Sequence, residues 1–237
     1  MPNESNGQLH TVLADLARTA HAKAPEGPQA VLTEITANAV DVIEGIAFAG
    51  ITLTRGENVL DTMAPTHQVA EQFDQLQQRT GQGPCLDAAW KHRTVRVDDL
   101  MSENRWPKLV EAARDQSPVR SSVSYELFTH AEGMGALNLY SDRAHAITDD
   151  AVEAGYALAA HAALIFDAAL RQQQFESALA SRDIIGQAKG MIMERFSIDA
   201  TQAFKLLTKL SQESNVRVAE IARQIISNRS EGDQEAG

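Results

Sequence analysis

The residues of this chain whose types and spacing could do chemistry lie near its C-terminus, in Arg182-Asp-Ile-Ile-Gly-Gln-Ala-Lys-Gly-Met-Ile-Met-Glu-Arg195. On a helical wheel of about 100° per residue, Ile184, Ile185, Ala188, Met191 and Ile192 gather on one side as a core face. Opposite them Arg182, Gly186, Lys189 and Met193 fall in line, with Gly190 beside them. A glycine inside a helix costs roughly 1 kcal/mol relative to alanine. Two of them four residues apart, next to two cations, suggest that something large approaches the backbone closely. The competing explanation is tight helix–helix packing over the glycines, with the charges as a solvated face. Lys205 and Lys209, one turn apart on the next helix, and Arg217 and Arg223 on the third extend the basic surface. An RNA loop fits such a surface, because phosphates meet the cations while splayed bases meet amides and guanidinium planes.

The overall charge of −11 works against a polyanion partner. Its distribution does not. Residues 1–180 hold 13 Lys and Arg against 24 Asp and Glu, residues 181–229 hold 8 against 5, and residues 230–237 add three acids. The only basic block therefore coincides with the glycine-bearing stripe.

Other chemistry finds little support. Cys85 is the single cysteine, so neither an internal disulfide nor a multi-cysteine metal site is available. A helix start beside it could make the thiol reactive, but Pro84 and Leu86 favour a small buried side chain. The seven histidines, at 10, 21, 67, 92, 130, 145 and 161, show no metal-ligand spacing. No phosphate-cradling Gly-x-x-x-x-Gly-Lys run and no Gly-x-Ser-x-Gly elbow occurs. No cofactor, metal or catalytic residue is expected. The polar start MPNESNGQ is unlike a secretory signal, and no long uninterrupted apolar run is evident, so a cytoplasmic protein without membrane contact is expected.

The elements that must position the stripe read as follows. A helix over Leu9–Lys23 ends at the Pro25–Gly27–Pro28 cluster, and a second covers Gln29 to about Asp41. Strand character runs from Ile46 to Thr54 and from Val59 to Ala64, around a turn at Arg55–Asn58. A helix over Thr66–Arg79 stops at Gly81, and Pro84 opens a short one. Thr94–Val97 is a strand, Pro107–Gln116 a helix, and Val119–Thr129 with Met134–Tyr140 a hairpin turning at Glu132-Gly133. Antiparallel strands with helices at their ends or on one face define an α+β domain.

From Thr148, a fair N-cap followed by two acids, helical periodicity persists. Leu158, His161, Ile165, Ala168, Gln172, Phe175 and Leu179 follow the 3-4 spacing of a two-stranded coiled-coil seam, weakened by His161 and Gln172; it predicts a homodimer, the alternative being one helix packed on its own domain. Arg182–Arg195 continues this helix to a break at Phe196–Ile198. Asp199 with Gln202 is a capping-box pattern opening the next helix, and Asn215 is read as the cap of the last. These short amphipathic helices make a small bundle.

Ser181-Arg182, Ile184, Gln187-Ala188-Lys189-Gly190, Met193 and Ala203-Phe204 resemble the ANTAR family of RNA-binding antitermination domains. The resemblance covers about residues 178–228. It implies a dimeric form that binds paired RNA hairpins with short loops, and it carries the RNA-contact role onto Arg182, Gln187, Lys189 and Gly190. Arg195, Lys205, Arg217 and Arg223 join the site on charge and helix position alone. Upstream, Gly81-Gln82-Gly83-Pro84-Cys85-Leu86-Asp87-Ala88, Val95–Leu100, Arg105-Trp106-Pro107 and Gly135–Tyr140 resemble a GAF domain, over roughly 25–165. That implies a sensor of a small molecule or redox state without naming a ligand. Val97-Asp98-Asp99 is superficially similar to the acidic pair of a phosphorylated receiver, but it sits mid-domain and no later strand ends in a phosphoacceptor.

The expected architecture is α+β: an N-terminal helix (1–24), a GAF domain with an antiparallel sheet and flanking helices (25–165), a linking helix (149–180), an all-α three-helix ANTAR bundle (178–228) and a disordered acidic tail (229–237). The expected function is signal-responsive binding of RNA hairpins that causes transcription antitermination. The alternatives are a DNA-binding regulator with a helix-turn-helix and a dimerisation module without nucleic acid.

Overall fold

The computed structural model describes residues 26–54, 60–91, 94–129 and 133–232, and also 18, 22 and 23. The helix expected over Leu9–Lys23, apart from Arg18, Ala22 and Lys23, the turn at Arg55–Asn58, Glu132 of the hairpin turn and the tail from residue 233 lie outside the described residues. The chain divides into two compact units, Met1–Arg171 and Gln172–Gly237.

The first unit contains α1 (Pro28–Val42), β1 (Phe48–Thr54), β2 (Leu60–Met63), α2 (Gln68–Thr80), α3 (Pro84–Lys91), β3 (Val95–Val97), a 3-10 turn (Leu100–Ser102), α4 (Pro107–Gln116), β4 (Ser121–Thr129) and β5 (Gly133–Ser141). It also holds the start of α5 (Asp149–Phe196). Local chemistry sets these boundaries. The His67 ring accepts from the Val69 N–H at 3.1 Å to open α2, and Gly81 closes it at φ 65°, where a side chain would be strained. The Thr148 hydroxyl accepts from the Ala151 N–H at 3.2 Å at the head of α5, as its N-cap role requires.

The five strands form one antiparallel sheet in the order β2-β1-β5-β4-β3. Side chains alternate between its faces. Ala49, Ile51, Val123, Tyr125, Leu127, Leu137 and Leu139 face α1 and α5 and join Leu32, Ile35, Leu158, Ala162 and Phe166 in the larger core. On the other face Ala136 and Tyr140 pack with Phe73, Leu76, Ala88, Trp106 and Leu109 from α2, α3 and α4. Fully burying one such aliphatic or aromatic side chain stabilises by roughly 1.5–3 kcal/mol.

This packing corrects the expected seam. Leu158 is 3% exposed in the unit's own core and Ile165 packs against that core, so neither is free for a second copy. His161 and Ala168 are exposed, and so is every residue from Arg171 to Ala180. α5 is also long and apolar enough by composition to cross a membrane, which the run-based reading missed. Leu158, Ala159, Ala162, Phe166 and Ala169 are buried in the core over the sheet, while Leu164 is 72% exposed.

In the second unit the end of α5 is followed by α6 (Ala200–Ser214) and α7 (Val218–Gly232). Ser197 breaks α5 at φ 53°, and the Asp199 carboxylate accepts from the Gln202 N–H at 2.8 Å to start α6. Asn215 plays a different part from the expected one. It ends α6 in the left-handed region at φ 54°, with its N–H donating to the Ser211 carbonyl, and does not cap α7. Asparagine tolerates that conformation better than most residues. Ala188, Ile192, Ala203, Leu207, Ile221 and Ala222 form the bundle core.

Candidate nucleic-acid interface

The end of α5 presents the residues singled out in the sequence as follows. Ala188 and Ile192 point into the bundle, and Ile184 and Ile185 pack against its core. Met193, placed on the outer stripe by the wheel, also packs there, whereas Met191 is half-buried outside the core cluster. Arg182, Gly186, Gln187 and Gly190 are exposed and Lys189 is half-buried. A Cβ built on Gly186 or Gly190 meets nothing within 4 Å. Among the described residues the glycines therefore serve no packing contact, and they leave a shelf of open backbone.

Angular position sorts the surface further. At about 100° per residue, Arg182 and Lys189 flank one side of the glycines and Gln187 the other. Asp183 and Glu194 are exposed on the Gln187 side. The sequence reading overlooked these acids, which confine the positive potential to the Arg182–Lys189 flank.

The weaker candidates are all exposed: Arg195 at the end of α5, Lys205 on α6, Arg217 just before α7 and Arg223 within it. They do not carry equal free charge. Arg223 donates to Glu220 at 2.7 Å, and Lys209 lies 3.8 Å from Glu213. Among the described residues Arg182, Lys189, Arg195, Lys205 and Arg217 form no ion pair. The bundle also exposes Phe204 (47%) and Leu210 (45%), apolar residues that the amphipathic pattern of α6 would bury.

The first unit holds polar features that no sequence motif announced. Asp74 on α2 is buried and accepts from the Tyr140 hydroxyl of β5 and, at 3.1 Å, from the Thr62 hydroxyl of β2. Gln77 donates to both Asp74 and Tyr140, and its carbonyl accepts from the Cys85 N–H at 2.9 Å. Burial pushes the Asp74 carboxyl up to about 7, against the opposing hydrogen bonds from Tyr140 and Thr62. Burial likewise raises the Cys85 thiol, which is 0% exposed, so it is a packed side chain and not an activated nucleophile.

A second polar cluster ties the sheet to α5. The Arg96 guanidinium bonds Asp98 at 2.6 Å, the Ile147 carbonyl at 2.8 Å and Asp149 in the first turn of α5. The Tyr125 hydroxyl donates to the Val152 carbonyl at 2.8 Å, and Gly155 gives its ring room. Asp99 accepts from Arg120 at 3.0 Å and from the Met101 N–H, so Asp98 and Asp99 are structural acids and do not form a phosphoacceptor pair.

A sheet enclosed by helices on both faces, joined through one long helix to a small helical bundle, defines a two-unit α+β architecture. Residues 26–167 match the GAF domain model and residues 173–226 the ANTAR domain model. The chain belongs to the GAF family and carries a C-terminal ANTAR domain. No curated protein matches it.

Solved structures share the fold of the first unit. One is the free methionine-R-sulfoxide reductase of Neisseria meningitidis, solved with its substrate (TM-score 0.55, 18% identity, 69% of this chain and 91% of that one). A second is the GAF domain of a phosphoenolpyruvate-protein phosphotransferase from Coxiella burnetii (TM-score 0.55, 11% identity, 74% and 99%). A third is the corresponding domain from Acinetobacter (TM-score 0.52, 12% identity, 72% and 97%). At these identities the likeness concerns the fold alone.

Proposed function

We propose that this chain is a signal-responsive RNA-binding regulator of the cytoplasm. Its ANTAR bundle grips RNA hairpins to prevent transcription termination, and its GAF domain governs that grip without catalysing a reaction. The observation that carries the reading is the Arg182–Gly186–Lys189–Gly190 edge, where cations that form no ion pair among the described residues border a backbone shelf open to solvent. Phosphates are held by such cations, and a folded loop approaches backbone most closely where side chains are missing. Gln187 would supply base-edge contacts, with Arg195, Lys205 and Arg217 extending the phosphate contacts and Arg223 contributing less while it serves Glu220.

Regulation rests on the attachment of α5 to the sheet. Arg96 and Tyr125 fix the start of this helix to β3 and β4, so a signal that shifts either strand is passed to the helix that carries the RNA-contact edge. A homodimer would present two bundles to two hairpins, raising apparent affinity without new contacts. The buried Cys85 side chain, the chain's only thiol, is unsuited to thiol-based catalysis.

The test is competition between stem-loop RNA and duplex DNA for the full-length protein, alongside sequencing of the RNA that co-purifies from its own cells. Displacement by RNA alone, with hairpins enriched, is the expected result. Displacement by duplex DNA would favour the helix-turn-helix alternative. Absence of any nucleic acid would favour a dimerisation module.

A further inference from the structure

The two faces of the sheet differ in chemistry. Toward α1 and α5 it presents Ile51, Val123, Leu137 and Leu139. Alternation along β1, β4 and β5 puts Thr52, Ser122, Ser124, Asn138 and Tyr140 on the other face, under α2, α3 and α4, and all five are 1% exposed or less. Part of this polar row is satisfied internally. The Asn138 amide donates to the Thr52 hydroxyl at 3.2 Å, and the Asp74 carboxylate accepts from Tyr140, Thr62 and Gln77. Three atoms stand apart: among the described residues, the Ser122 and Ser124 hydroxyls and the Asn138 carbonyl oxygen have no hydrogen-bond partner. Buried polar groups are normally paired, since one left alone loses its hydration with no hydrogen bond in exchange.

The three lie together. Ser124 stands opposite Asn138 in the β4–β5 register, and Ser122 is the next residue of β4 on the same face. Opposed residues sit about 5 Å apart, and same-face neighbours along a strand about 7 Å apart. One water molecule, reaching about 3 Å to each partner, joins Ser124 to Asn138 but does not span to Ser122 as well. Over β4 and β5 runs α3, which turns small side chains inward: Cys85, Ala88 and Ala89 are all 0% exposed. Short side chains on both walls explain why the serine hydroxyls reach no partner.

Charge narrows what these groups can hold. Asp74 is the one buried charged side chain among the described residues, so no buried cation is at hand to balance an anion. A cation gains little, because both Asp74 oxygens already accept hydrogen bonds. What remains is one fixed acceptor and two hydroxyls that each donate and accept. An amide or ureide carries N–H and C=O edges in one rigid plane, so it satisfies such a set with little loss of freedom.

We propose that Ser122, Ser124 and Asn138 recognise a compact uncharged molecule of the amide or ureide class, held between the sheet and α3. The proposal deepens the sensor part of the proposed function, on which its regulatory meaning rests. Ser124 faces the ligand, and its neighbour Tyr125 on the opposite face of β4 donates to the Val152 carbonyl of α5. Occupancy therefore acts on the strand that holds the start of the long helix.

Thermal unfolding of the full-length protein tests it, followed by the fluorescence of Trp90 and Trp106 in the GAF domain. The probes are acetamide, N-methylurea and hydantoin, with acetate and ethylammonium as charged counterparts. A saturable rise of the midpoint with at least one amide or ureide at millimolar concentration, and none with the charged pair, is expected. Ser124→Ala deletes an unpaired hydroxyl, so it should raise the midpoint of the free protein yet weaken probe binding about tenfold. Ser122→Ala should do the same, which keeps the test decisive if one variant folds poorly. No rise with any of the three, an equal rise with acetate, or equal affinity in both alanine variants (an adventitious additive only) would overturn the site. Stem-loop RNA affinity with and without bound probe is a separate readout: an unchanged affinity would contradict the sensor reading while upholding the site.

Discussion

Replacing Asp74 by asparagine should abolish a specific loss of stability with rising pH. Asp74 is buried beneath the sheet, and its folded-state pKa of about 7 stands well above the 3.8 of the free carboxyl. The folded protein therefore binds the proton more tightly than the unfolded chain. Stability is fully present below the unfolded pKa and is lost as pH rises through about 7, because the buried group must then ionise. Between pH 5 and 8 this single group should remove about 3 kcal/mol, at about 1.4 kcal/mol per unit of linked pH change.

Asp74→Asn removes the titration and keeps one acceptor oxygen, enough for the Tyr140 hydroxyl on the Oδ1 side, while its amide nitrogen replaces the Oδ2 that accepts from Thr62. Urea unfolding followed by tryptophan fluorescence reads the GAF domain alone, since Trp90 and Trp106 both lie within it. The wild type should lose stability over this range and the variant should change much less, so the difference between their curves isolates Asp74. Parallel curves, or a wild type that gains stability toward pH 8, would refute the argument from burial.

Gly186→Ala should stabilise the bundle by about 1 kcal/mol, since the added methyl group meets nothing; it should also weaken stem-loop RNA binding, and circular dichroism melting beside a binding isotherm shows whether the two effects oppose each other. Gly155→Ala should go the other way and destabilise the GAF domain by about 1–3 kcal/mol despite better helix propensity, because its Cβ would overlap the buried Tyr125 ring; a rise in the urea midpoint would contradict this. The Cys85 thiol should react with a thiol reagent only after denaturant is added, and prompt modification of the native protein would count against its burial.

Much of the architecture was legible because its signals are local. Gly81, Pro84, Pro107, Thr148 and Asp199 punctuate helices through capping and backbone chemistry that needs no tertiary partner. The outer stripe of the C-terminal helix followed from periodicity, since its core side really is the side bearing Ala188 and Ile192.

What stayed hidden depends on contacts between residues distant in sequence. Leu158 and Ile165 fit a seam by spacing, yet the sheet covers them, and only topology could reveal that. Asn215 is expected from the sequence to open α7, but its left-handed backbone makes it the end of α6. Asp74 and Tyr140 lie 66 residues apart and meet only because α2 crosses the face on which β5 presents Tyr140. Asp183 and Glu194 divide the exposed face because helical rotation sets them between the glycines and Gln187.

The central claim is most directly tested by the affinity of the full-length protein for tandem stem-loop RNA across a salt series, with Lys189→Ala measured beside the wild type. The account predicts roughly tenfold weaker binding and a salt slope lower by about one, the mark of one lost phosphate contact. An unchanged affinity and slope would contradict it, because the open edge of α5 would then not be where RNA is held.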